Sequence, residues 1–251
     1  MVAFVLVHGS WHGGWCWRDV ARLLREKGHS VHTPTLSGCA ERFHTSAAKV
    51  TLLTHYEDVS RLLFYEDLKD VVLVGHSYAG MVIPGVANKA ANRLRGLVYL
   101  DAYMVPPGQK GFDLWTPERL AEAQRAIAEG YPYRKPFTAE FLGVTEPQLA
   151  QWVTDRLTPH PLGCYDTIVE AEAPEAARLP RVYIQCTEGP IVPVFVPVVE
   201  TLRERGWPIR TVDAGHDLMI THPEELTDLL IECAHELATP MYTFEAREVH
   251  K

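Results

Sequence analysis

Residues 71–80 read VVLVGHSYAG, and this stretch constrains the fold more than any other in the chain. Val71–Val74 is an uninterrupted run of Val and Leu, the pattern of a strand buried on both faces, as in a parallel sheet covered by helices. The residues that follow, Gly75-His76-Ser77-Tyr78-Ala79, put small side chains two before and two after a serine. That spacing permits a sharp, strained strand-to-helix turn. The turn lifts a hydroxyl clear of the sheet at a helix N-terminus, where backbone amides favour an anion. Ser77 is therefore the candidate nucleophile.

The rest of the chain repeats the alternation of short apolar runs and amphipathic stretches that marks βαβ units around a mostly parallel sheet. Strands are expected at Ala3–Val7, Ser30–Thr33, Leu97–Leu100, Val182–Cys186 and Ile209–Val212. Helices are expected at Trp15–Lys27, around Leu52, Tyr56, Val59 and Leu63, from Ala79 into Arg93, and near Phe195–Arg205. Pro84 should kink or split its helix. A last helix starts at Thr221, where Thr221-His222-Pro223-Glu224 fits a capping box. Between Val105 and Ala177 the chain is rich in Pro, aromatic and helix-forming residues without a strand-like run, too long for an ordinary loop. The chain thus divides into a core, residues 1–104 and 178–251, and a helical cap insertion, residues 105–177. The tail after Pro240 is expected on the surface.

Charge narrows the ligand. The chain carries 24 Lys+Arg against 32 Asp+Glu, a net charge of −8, with no basic run. It is a poor match for nucleic acid or an anionic membrane and suits a small molecule. No window approaches the roughly 18 apolar residues of a membrane span, and Val2–Val7 lacks the flank and length of a signal peptide. Five scattered cysteines (Cys16, Cys39, Cys164, Cys186, Cys233), with no C-x-x-C pair, point to reduced thiols in a cytosol. No cofactor motif is present: the glycines after the first strand lack the following Lys-Ser/Thr and do not form G-x-G-x-x-G. His8 and His12 have metal-pair spacing but no third ligand cluster, so no metal is expected. A second copy of the chain, as a homodimer, is the protein partner considered.

A serine nucleophile needs a base. Of twelve histidines, His216 in Asp213-Ala214-Gly215-His216-Asp217 follows a late strand and precedes the final helix. Loops at the carboxyl edge of a parallel sheet converge on one crevice, so His216 and Ser77 can meet there. His76 should point away from the hydroxyl and pack. For the acid that orients the imidazole there are two candidates at strand ends: Glu188, after Val182–Cys186, and its rival Asp101, after Leu97–Leu100. Asp213 and Asp217 lie too near His216 along the chain. Oxyanion donors are expected from the amides of Tyr78 and of Ser10, in the glycine-rich loop after the first strand.

Four stretches carry a resemblance: FVLVHGSWHGGWCW (Phe4–Trp17), VLVGHSYAG (Val72–Gly80), LVYLDAYMVPPG (Leu97–Gly108) and AGHDLMITHPEEL (Ala214–Leu226). Together they resemble the α/β-hydrolase superfamily, in particular its small branch of plant methylesterases, hydroxynitrile lyases and bacterial carboxylesterases. The resemblance implies an α/β-hydrolase fold with a cap, and a triad of Ser77, Glu188 and His216 with the Ser10 and Tyr78 amides as oxyanion hole. Ala79 replaces the usual Gly of the turn, and Glu188 stands where the branch usually has Asp, which keeps Asp101 as a substitute. The implied activity is cofactor-free hydrolysis of a small carboxylic ester through an acyl-serine. Trp11, His12, Tyr78, Tyr103, Trp115 and Met219 are the expected pocket walls, with Phe112, Phe137, Phe141 and Trp152 of the cap available. These walls suggest an apolar or aromatic substrate. The lyases of this branch carry Thr after the first-strand His and Lys after the catalytic His, where this chain has Gly9 and Asp217. The other readings are a lactonising or cyclising enzyme on the same triad and a silent ligand binder.

Overall fold

The computed structural model describes residues 1–238; the tail after Pro240 lies outside them. The strands are β1 (Ala3–Val7), β2 (Ser30–His32), β3 (Val71–His76), β4 (Leu94–Leu100), β5 (Tyr133–Arg134), β6 (His160–Pro161), β7 (Arg181–Cys186) and β8 (Ile209–Val212). Six of them form one sheet in the order β2-β1-β3-β4-β7-β8, and every neighbouring pair is parallel. The central strands are nearly flush at their carboxyl ends. Val7 pairs with Gly75, His76 with Leu100, and Leu100 with Ile184. The loops after β1, β3, β4 and β7 therefore emerge along one edge.

The helices are α1 (Arg18–Glu26), α2 (Leu52–Tyr65), α3 (Val82–Ala90), α4 (Pro117–Ala128), α5 (Pro147–Thr154), α6 (Pro174–Ala177), α7 (Val196–Glu204), α8 (Leu218–Thr221) and α9 (Pro223–Glu236). Strand alternation sorts them onto two faces. Val71 and Leu73 of β3 join the core formed with α2, α3 and α7. Val72 and Val74 point the other way, onto α1 and α9. β3 is buried along its whole length, as its composition requires. All four apolar positions expected on one face of α2 are buried.

Three local expectations change. The turn after β3 is a 3-10 segment, Ser77–Gly80, and α3 begins only at Val82. Pro84 therefore falls in the first turn, where its missing N–H has no intrahelical partner to lose. The last helix does not start at Thr221: α8 ends there, His222 breaks the chain, and α9 opens on Pro223 without a side-chain cap. Between β4 and β7, where no strand was expected, β5 and β6 form a short antiparallel ladder, with α4 against β5. No helix among the described residues is long and apolar enough to cross a membrane. All five cysteines are free and buried.

Candidate active site

Ser77 sits at the bend with φ = 53°, a left-handed conformation that costs a non-glycine residue about 1–3 kcal/mol. Small neighbours make the bend sterically possible. A Cβ on Gly75 would lie 2.9 Å from the Ala79 carbonyl oxygen, and one on Gly80 would lie 2.6 Å from that of Tyr103. Tyr103 N–H donates to the Ser77 carbonyl at 2.9 Å and pins the turn to the segment after β4. The loop after β1 comes equally close: a Cβ on Gly9 would sit 2.8 Å from Ser77 Cβ.

His216 is buried, and its Nδ1 lies 2.6 Å from Oδ2 of Asp101. Asp101 is itself fully buried at the end of β4 and held at φ = 39°. Its other carboxylate oxygen accepts the Cys186 N–H at 3.2 Å, and its own N–H donates to Ile184 at 2.7 Å. Glu188, the other candidate acid, is placed differently. Its side chain is exposed and makes no hydrogen bond or ion pair with a described residue; only its backbone is engaged, donating to Ala214 at 3.1 Å. Beyond Cys186 the chain turns outward through Glu188 and Gly189 (φ = 97°). Asp101, by contrast, leaves the strand next to that of Ser77. Phe195 stacks on the His216 ring at 5.0 Å, and His76 donates from Nε2 to the His216 carbonyl at 3.0 Å. His76 thus packs as expected and also holds the backbone of His216.

A cavity of about 430 Å³ opens over Ser77, lined by Ser10, Trp11, Tyr78, Tyr103 and Trp115 among others. Two expected wall residues are absent from it. Met219 belongs to the core on the α1 and α9 side of the sheet. His12 is not among the lining residues and is buried beside Trp11, whose φ is 70°. Its Nδ1 donates to the Ser10 carbonyl at 2.8 Å and its Nε2 to Asp217 at 3.0 Å. Burial pulls the His12 pKa down, but the Asp217 charge and hydrogen bond outweigh it and the net shift is upward. Of the other aromatics, Phe137 lines the cavity, whereas Phe112, Phe141 and Trp152 pack against Trp115, Phe137 and Trp15.

The residues that sequence reasoning missed are the polar ones arriving from the insertion. The Ser10 hydroxyl makes a short hydrogen bond with the Tyr165 hydroxyl, which also accepts from Nη1 of Arg134 at 3.1 Å. Arg119 and Arg134 both line the cavity. Behind Tyr78, His55 accepts the phenol at Nδ1 (2.9 Å) and donates from Nε2 to the Ser37 carbonyl (2.9 Å). His160 and Cys164 lie beside His55 in an arrangement that could ligate a metal, yet both nitrogens of His55 are already committed to protein groups. No motif signal marks Arg119, Arg134, His160, Cys164 or Tyr165, which lie between β4 and β7, and His55 is hidden within the periodic helix α2.

Against this geometry, the profile of the alpha/beta hydrolase family matches residues 4–229. The chain is 38% identical to a carbendazim hydrolyzing esterase of Nocardioides sp. (strain SG-4G), over 92% of this chain and 98% of that one. It is 26% identical to Methylesterase 18 of Arabidopsis thaliana, over 94% and 98% of the two chains. Among solved structures it resembles an extracellular alpha/beta-hydrolase from a Paenibacillus species, described as sharing homology with tobacco Salicylic Acid Binding Protein 2. The TM-score is 0.78 at 25% identity, covering 92% of this chain and 98% of that one. The fold, the strand-to-helix serine and these likenesses agree: the chain belongs to the alpha/beta hydrolase family, among its carboxylic-ester hydrolases.

Proposed function

We propose that the protein cleaves a small carboxylic ester through an acyl-enzyme on Ser77, with His216 as base and Asp101 as the acid that orients it. The observation that carries this reading is the 2.6 Å contact between His216 Nδ1 and Asp101 in a fully buried setting. It fixes the tautomer with the proton on Nδ1 and leaves Nε2 free to take a proton. His216 removes the Ser77 hydroxyl proton as the oxygen attacks the ester carbonyl. The amides of Ser10 and Tyr78 receive the developing oxyanion. The imidazolium, stabilised by Asp101, returns the proton to the departing alkoxide and the acyl-serine remains. Water, deprotonated by His216, then attacks the acyl carbon, and collapse of the second tetrahedral adduct releases the acid and restores the hydroxyl.

The segment 105–177 acts in this reading as a cap whose aromatic side chains shape the acyl or alcohol site for an apolar or aromatic group. The buried free thiols suit a reducing compartment such as the cytoplasm. A lyase reading is disfavoured by Gly9, where any side chain would press on Ser77, and by an acid rather than a lysine at Asp217.

A fluorophosphonate probe tests the nucleophile: prompt labelling of the wild type, lost in Ser77→Ala, is expected. Asp101→Asn should lower kcat by about 10⁴-fold, as loss of the orienting acid does in serine proteases, while Glu188→Gln stays within about twofold. The reverse pattern would overturn the assignment of the acid. A kcat/KM screen over methyl esters, aryl esters and lactones, with carbendazim included because of the relative at 38% identity, identifies the substrate.

A further inference from the structure

Trp115, Arg119, Arg134 and Phe137 line both the cavity over Ser77 and a larger outer cleft of about 850 Å³. They form the boundary between the two. Both arginines are half-buried there, with aromatic rings against their guanidinium groups. The Arg134 Cζ lies 4.5 Å from the Trp11 ring centre and 5.0 Å from those of Trp115 and Phe137. That of Arg119 lies 5.1 Å from Trp115 and 5.6 Å from Phe137.

Neither cation has a carboxylate partner among the described residues. Arg134 makes one side-chain hydrogen bond, to the Tyr165 hydroxyl, and the Arg119 guanidinium makes none. The outer cleft does contain Glu118, Glu122 and Glu129, but these are exposed and form no ion pair with either arginine. Burial first, and then the charge of Arg134, pushes the Arg119 pKa down. Tyr165, Tyr103 and Glu122 offset this in part, and a bound anion would relieve the remaining repulsion between the two cations. Aromatic rings surround both guanidinium groups, whose planar N–H forks suit a carboxylate.

We propose that Arg119 and Arg134 form a subsite for a carboxylate, so that the preferred substrate is an ester bearing a second, ionised acid group at the end remote from Ser77. The scissile ester lies in the apolar cavity and the free carboxylate sits at its mouth. This inference rests on the ester-hydrolase reading above and narrows its substrate class to half-esters of dicarboxylic acids and comparable ester-acids.

The test compares kcat/KM for the monomethyl and dimethyl esters of adipic and suberic acids on the full-length protein, together with fluorophosphonate labelling. Wild type should prefer the monoester by about tenfold or more, the size expected of a charge-assisted hydrogen bond. Arg119→Gln and Arg134→Gln should each reduce that ratio several-fold, and Arg119→Lys should keep part of it. Because the ratio is internal to each variant, losses shared by both substrates cancel. Labelling and diester turnover without monoester preference, or a ratio unchanged in both Gln variants, would overturn the subsite and leave the hydrolase reading standing. Absence of labelling and of all ester turnover would remove both.

Discussion

His12 donates from both ring nitrogens, to the Ser10 carbonyl and to Asp217, and a ring that donates twice is an imidazolium. The pair is buried on both sides. It joins the loop carrying the Ser10 amide to the loop carrying His216, and neither member lines the cavity over Ser77. Asp217→Ala strands a buried cation and should cost about 3–5 kcal/mol in urea unfolding. Asp217→Asn, which still accepts a hydrogen bond, should cost less. Because the folded pKa of His12 is raised, the contribution of the pair is complete below the unfolded value of about 6.5. It wanes as pH rises through the folded value, so the gap between wild type and Asp217→Ala should narrow in alkali. A gap that widens there would contradict the charged assignment. The sequence reading counted His12 among the pocket walls. Which way it faces is set by its partners Ser10 and Asp217, the latter far away in the chain, and residue type does not encode that. Glu188 and Asp101 were alike in sequence, each an acid at a strand end. Only the adjacency of β4 to β3 separates them.

At the level of elements, α2 and α3 pack so closely that Gly85 admits no side chain: a Cβ there would lie 2.2 Å from the Tyr56 ring. Tyr56 is fully buried on the apolar face of α2, so the ring cannot swing into solvent. Gly85→Ala should destabilise the fold by about 1–3 kcal/mol despite the better helix propensity of alanine. A chain of this size should then lose roughly 2–4 °C in Tm per kcal/mol. A Tm raised by the substitution would show that the two helices yield easily. The periodicity of α2 was legible because burial follows the 3.6-residue repeat. The start of α3 was not, since the strained bend at Ser77 takes a 3-10 turn and delays the helix to Val82. The break at His222 escaped for a similar reason: a capping-box spelling does not ensure a cap when Pro223 can open the helix instead.

Across the whole molecule, four buried histidines are kept neutral: His8, His55, His76 and His160 all have lowered pKa values, with burial the first cause. His8, pushed down to about 3, donates from Nδ1 to the Gly9 carbonyl and accepts the Leu36 N–H at Nε2, so a second proton has no place. Below about pH 6.5 the unfolded chain binds protons that the folded chain refuses, and stability falls as pH falls. Each such group contributes up to about 1.4 kcal/mol per pH unit. Unfolding free energy should therefore drop by at least about 2 kcal/mol from pH 7 to pH 5 in urea titrations; a flat profile would contradict the neutral assignments. By itself the sequence determined the parallel sheet and the bend at Ser77, and it singled out a late histidine, His216, at the same sheet edge. Those follow from local rules: strand composition, side-chain size around a turn, and the edge where loops gather. Tertiary structure alone decided which acid meets His216, which side of a loop faces the cavity, and that Arg119 and Arg134 stand together at its mouth. Such choices depend on distances of a few ångströms between segments far apart in the chain, and no local pattern records them.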